Sequence, residues 1–134
     1  MTTPRGLRYT RTHEWVRVKG AKIQVGITDY AQAQMHDITN VELPEPDSHH
    51  EFHAGEEVGV LESVKAAADF HAPVAGIVTA VNADLLENPE FVNDDPYGTG
   101  WLFEMTPSDT AQLRDLMDVD DYEATLPEED TEEE

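Results

Sequence analysis

Val58-Gly-Val-Leu-Glu-Ser-Val-Lys-Ala-Ala-Ala-Asp-Phe-His-Ala-Pro-Val-Ala-Gly-Ile-Val-Thr-Ala-Val81 is the stretch on which the fold turns. Its two ends, Val58–Val64 and Gly76–Val81, are short, rich in β-branched residues and bounded by turn formers, which predicts strands rather than helices. Between them Lys65 falls at or near a hairpin tip. Such tips normally carry Gly, Asn or Asp. Here the lysine is flanked by Val64, Ala66, Ala67 and Ala68, side chains that obstruct little, so a partner enzyme can close over it. The chain has lysine only at 19, 22 and 65, and the pressure that removed surface lysines elsewhere spared this one. On composition and position alone the competing reading is an ordinary solvated lysine with a pKa of about 10.4.

Working outward, the apolar residues of Lys22-Ile-Gln-Val-Gly-Ile27 alternate, and so do Trp101, Phe103 and Met105 ahead of Pro107. Both patterns predict half-buried strands, and several short strands at close spacing predict a sandwich or barrel. Helices are minor. Thr28 or Asp29 can cap a helix over Tyr30–Met35, and Ser108 or Asp109 can cap one over Thr110–Met117 with Leu113, Leu116 and Met117 on one face. The triplet Phe-His-Ala at 52–54 and again at 70–72 is too short to establish an internal repeat. The expected organisation is one domain over residues 1–122, with a barrel at about 7–106 and a helical segment at about 108–122. Residues 123–134 form an acidic tail that cannot bury enough apolar surface to order itself.

With 134 residues, 39% of them hydrophobic, the chain supports one core and excludes a multidomain enzyme. No apolar run reaches membrane-spanning length and no apolar leader is present, which predicts a soluble, cytoplasmic protein. The absence of cysteine excludes a disulfide framework, a Cys metal site and a thiol nucleophile. Twenty-nine acids against eight Lys and Arg give a formal net charge of −21, which argues against a nucleic-acid partner. The charge is uneven: six basic residues and a single acid, Glu14, lie in residues 1–28. Self-repulsion on this scale suits a salt-rich cytoplasm.

Five blocks occur in order: Tyr9-Thr-Arg-Thr-His-Glu-Trp15, Val25-Gly-Ile-Thr-Asp-Tyr-Ala-Gln32, Val41-Glu-Leu-Pro44, Glu62-Ser-Val-Lys-Ala66 and Val92-Asn-Asp-Asp-Pro-Tyr-Gly-Thr-Gly-Trp101. Together they resemble the H protein family of the glycine cleavage system over residues 7 to about 122. The resemblance implies a mainly β, lipoyl/biotinyl-type capped β-barrel with small helices and no catalytic activity of its own. It implies lipoate joined by an amide bond to Lys65, within the flanking residues Glu62, Ser63, Val64 and Ala66. A biotin carrier typically places its lysine between two methionines. The partners it implies are glycine decarboxylase, a pyridoxal-phosphate enzyme; a tetrahydrofolate-dependent aminomethyltransferase; dihydrolipoyl dehydrogenase; and a lipoate ligase or lipoyl/octanoyl transferase. These would act on a monomeric carrier. A cysteine-free carrier also suits a disulfide cofactor, which a local thiolate would attack by exchange. Glu14 and Asp69 are implied as carboxylates lining a cleft for the arm, where a cationic amine can be bound away from water.

The chain departs from the family pattern in places. The loop Glu45–Ala54 is about two residues longer and carries three histidines, and Gln34 stands where some members have histidine. His49, His50 and His53 could ligate zinc or nickel, but a loop without fixed geometry reads better as solvated. The segment Asn93–Glu104 matches a calcium loop only in part, because Tyr97 fills a position that needs an oxygen ligand. The alternatives to a glycine cleavage carrier are an H-like lipoate carrier for lipoyl relay or sulfur oxidation and, from another class, a metal-binding or structural barrel with Lys65 bare.

Overall fold

The computed structural model describes residues 3–46 and 50–127. Nine strands dominate: β1 (Arg8–Tyr9), β2 (Glu14–Lys19), β3 (Lys22–Ile27), β4 (Ile38–Glu42), β5 (Glu51–Phe52), β6 (Glu57–Ser63), β7 (Ala67–His71), β8 (Gly76–Val81) and β9 (Phe103–Pro107). They form a six-stranded sheet ordered β1-β2-β3-β9-β8-β5 and a three-stranded sheet ordered β4-β6-β7, with every pairing antiparallel. The helices are α1 (Asp29–Met35), α2 (Phe91–Asp94) and α3 (Val119–Thr125), with 3₁₀ turns at Ala83–Leu86 and Thr110–Asp115. This is the mainly β, lipoyl-type barrel-sandwich architecture that the resemblance implies.

One apolar cluster joins the sheets. Ile23, Val25, Val78, Phe103 and Met105 from the larger sheet meet Val41, Leu61 and Phe70 from the smaller, and the Phe70 and Phe103 rings stack at 5.9 Å. A strand alternates its side chains between faces, so β2 can serve two layers at once. Val16 enters the main core, while Trp15 joins a second cluster with Leu7, Tyr9, Val119 and Tyr122. Within that cluster the Tyr9 and Tyr122 rings stack at 4.7 Å, the Trp15 indole N–H donates to the Pro96 carbonyl at 2.8 Å, and Arg17 lies over the Trp15 ring. Gly26 is required here, because a Cβ at that position would come within 2.6 Å of the indole.

The alternating segment Lys22–Ile27 and the β-branched segment Gly76–Val81 are strands at the predicted bounds. Thr28 caps α1, its hydroxyl accepting from the Ala31 N–H. Two readings need correction. The strand expected from Trp101 starts at Phe103, since the Trp101 side chain belongs to the second cluster. The helix expected over Thr110–Met117, capped by Asp109, is a 3₁₀ turn ending at Asp115. Met117 leaves it to exchange two backbone hydrogen bonds with Tyr9, at 2.8 and 2.9 Å, and Asp118 then caps α3. The expectation of an unordered acidic tail falls largely on residues 128–134, outside the described residues. Among those described, no helix is long and apolar enough to cross a membrane.

Candidate functional site

The β6–β7 hairpin turns within Ser63-Val64-Lys65-Ala66. The Ser63 N–H donates to the Ala66 carbonyl at 2.8 Å, and the Ser63 hydroxyl accepts from the Ala66 N–H at 3.1 Å. A serine folded back on its own turn in this way supplies locally what glycine or asparagine usually supplies. Lys65 is at the corner and exposed, and among the described residues no ion pair or hydrogen bond engages its ammonium. Val64 beside it is 85% exposed. Glu62 lies on β6 and its Oε1 accepts from Asn40 Nδ2 at 2.7 Å. Next to the tip, His36 and Asp37, at the junction of α1 and β4, join Ser63, Val64 and Lys65 around a depression of about 210 Å³.

A larger cleft, about 330 Å³, opens between α1 and the base of the same hairpin. Ile27, Met35 and Leu61 contribute apolar walls, and Tyr30, Gln34, His13, Glu14 and Asp69 bring polar groups to it. The structure therefore brings Glu14 and Asp69 into one cavity. Asp69 lies four residues along the chain from Lys65, on the order of 13 Å of extended backbone. The two acids differ sharply in surroundings. Asp69 is exposed, and among the described residues its carboxylate has no hydrogen-bond partner. Glu14 is 1% exposed. Its Oε1 accepts from the hydroxyls of Thr10 and Thr12, each at 2.5 Å, and its Oε2 accepts from the backbone N–H and the Nδ1–H of His71, each at 3.0 Å.

His13 occupies the tight turn between β1 and β2 with φ of 72°, and its Nδ1 lies 2.8 Å from the Tyr122 hydroxyl. Burial pulls the His13 imidazole below its ordinary value, with the nearby Glu14 opposing in part, so this wall of the cleft is uncharged at neutral pH. Burial also pushes the Tyr122 phenol up to about 12, partly offset by its hydrogen bond with Thr28. Trp15 packs in the second cluster and takes no part in the cleft.

Sequence reasoning missed His71, Thr10 and Thr12. The only signal for His71 was its place two residues beyond Asp69 on one strand, and its partner Glu14 is 57 residues away. In the described part of the histidine loop, His50 Nε2 meets Glu56 at 3.0 Å, and the His53 backbone N–H also donates to Glu56. Those contacts, the His53 N–H foremost, hold the Glu56 carboxyl below its usual range. His49 lies outside the described residues, among which no group of three His, Cys, Asp or Glu side chains is arranged to hold a metal ion.

A β scaffold that presents an exposed lysine on a hairpin tip, with an acid-bearing cleft along the same hairpin, has the arrangement of a carrier domain. Residues 7–129 match the glycine cleavage H-protein family, and the chain belongs to it. A glycine cleavage system H protein of Acinetobacter baumannii (strain ATCC 17978) is 48% identical over 126 residues, covering 94% of this chain and all of the relative. That of Geobacillus kaustophilus is 44% identical, covering 94% and 98%. The crystal structure of the Mycobacterium marinum protein superposes with a TM-score of 0.79 at 30% identity, covering 91% of this chain and 97% of that one. The chain is thus a carrier component of glycine cleavage and not a catalyst.

Proposed function

We propose that the chain carries lipoate as an amide on Lys65 and shuttles between the enzymes of glycine cleavage. The observation that carries this reading is the exposed Lys65 amine at the corner of a tight turn, with small residues after it. The site suits the group chemically. A primary amine is available to be acylated, acylation removes one positive charge without breaking any ion pair among the described residues, and the depression walled by His36 and Asp37 lies beside the stem. When bound, the lipoyl group supplies a cyclic disulfide able to accept the aminomethyl group of glycine and then electrons. The chain's own residues do the rest. Ser63 fixes the turn, Val64 and Ala66 leave it open to a modifying ligase or transferase, and Ile27, Met35 and Leu61 exclude water from the cleft floor. Asp69 and Glu14 supply negative charge where a cationic amine would be held. In this reading Lys65 is presented in turn to glycine decarboxylase, the aminomethyltransferase and dihydrolipoyl dehydrogenase in the cytoplasm.

Incubation with a lipoate ligase and lipoate should add one lipoyl mass, located by peptide mapping to Lys65. Lys65→Arg keeps the charge but offers a delocalised guanidinium in place of an acylable amine. That variant should fold, stay unmodified and fail to support glycine–bicarbonate exchange by a pyridoxal-phosphate decarboxylase. Modification at Lys19 or Lys22, or full exchange activity in the arginine variant, would sink the proposal.

A further inference from the structure

A carboxylate offers about four acceptor directions, and in Glu14 all four are taken: two by threonine hydroxyls and two by N–H groups of His71. An amine entering the cleft therefore finds Asp69 open and Glu14 closed. Three of the four donors resist displacement. Thr10 is locked from both sides, because its hydroxyl donates to Glu14 Oε1 while accepting from the Glu14 backbone N–H at 3.0 Å. Thr12 shares that oxygen and lies 3.2 Å from Thr10 Oγ1, and the His71 N–H belongs to the β7 backbone. The His71 imidazole is the fourth donor, a side chain 23% exposed that can turn about χ1 and χ2.

Building on the assignment of the cleft to a cationic amine, we infer that His71 is a gate: its imidazole occupies Glu14 Oε2, and an amine gains Glu14 only by displacing it. With Nδ1 donating, a neutral imidazole is held by one hydrogen bond, and an imidazolium by that bond plus the full charge of the carboxylate. The gate is therefore easier to open in the neutral form. Other charges face His71 as well. Glu57 is opposite it on β6, the Glu56 carbonyl pairs with the next residue, Ala72, Asp69 is two residues back on β7, and His13 and Arg11 lie beside Glu14 in the two clefts it borders. His71 acts through Glu14 and is a positioning residue.

The test uses the full-length chain with Lys65 unmodified, methylammonium chloride as the amine and tetramethylammonium chloride as a control of equal charge without N–H donors. Binding is followed by the histidine side-chain and β7 amide resonances between pH 5 and 8. In the parent, methylammonium should release the His71 ring, and its affinity should fall as the His71 resonances report protonation. His71→Val removes the ring but keeps the backbone N–H and suits a strand. It should bind methylammonium about threefold to tenfold more tightly, the net value of one ordinary hydrogen bond recovered, and lose that pH dependence. His71→Asn keeps a donor near the Nδ1 position that cannot titrate, so it should match the parent at high pH without the fall at low pH. His13 lines the same cleft in all three proteins and accounts for any decline they share.

If the valine variant binds no more tightly and keeps the parent's pH profile, the gate is wrong and the cleft stands. If methylammonium moves no cleft resonance in any of the three, or tetramethylammonium acts equally, the cleft assignment fails and the gate with it.

Discussion

A single carboxylate, that of Glu14, ties the β1–β2 turn to strand β7 and so joins the two sheets beside the cleft. Glu14→Ala strands two N–H donors and two hydroxyls, and we expect a loss of about 3 kcal/mol, or roughly 10 °C in melting temperature. Glu14→Gln should lose about half as much. Its carbonyl can still face the two N–H groups of His71, while the threonine hydroxyls rotate to accept from its amide. Asp69→Ala removes an exposed, unpartnered acid and should stay within about 0.5 kcal/mol of the parent. Calorimetry on the three variants separates a keystone from a surface group. His13 adds a pH signature. Its folded-state pKa lies below the unfolded value of about 6.5, so its contribution is present above that pH and lost as pH falls through the lower folded value. His13→Asn, which tolerates the positive φ, should narrow the loss of stability seen between pH 7 and 5 in denaturant titrations.

The elements that could be read in advance are those whose own residues carry the pattern. Ile23, Val25 and Ile27 alternate within β3, Thr28 caps α1 with its own hydroxyl, and a run of β-branched residues defines β8. The two-residue strands β1 and β5 exist only through their partners, and no local pattern in Arg8-Tyr9 or Glu51-Phe52 could announce them. Helix α3 was submerged in an acidic run, although Val119 and Tyr122, three apart, already marked its buried face. The site divides in the same way. The place of Lys65 at a hairpin tip was legible because its turn is local, its role being implied only by the family resemblance, whereas His71 was not legible, because its contact with Glu14 spans the sheets. One glycine of the lysine-bearing hairpin also answers to distant neighbours. A Cβ at Gly59 would lie 2.2 Å from the Glu42 carbonyl oxygen on β4 and 2.4 Å from the Phe70 ring. Gly59→Ala must push β4 and β6 apart, so we expect about 2–3 kcal/mol of destabilisation in urea unfolding with the turn itself unaltered.

At the scale of the whole molecule, charge is the dominant imbalance. The formal net charge is −21, and among the described residues the ion pairs that involve Lys or Arg are Arg5–Asp120 and Lys19–Glu104, both near the surface. Pairs of that kind contribute little, so repulsion among the acids is left to the solvent to screen. We expect the melting temperature to rise substantially from low to molar salt in scanning calorimetry; a flat or falling curve would reject the salt-adapted reading. The strand order has a different consequence, one that concerns synthesis. The hairpin bearing Lys65 and its neighbour β4 come from one continuous stretch, residues 38–71, and can assemble as soon as they emerge. By contrast, β3 waits for β9, nearly eighty residues later, and Tyr9 and Trp15 wait for Val119 and Tyr122. Because those partners come late in the chain, the tip that bears Lys65 can take shape before the sheet that supports it closes.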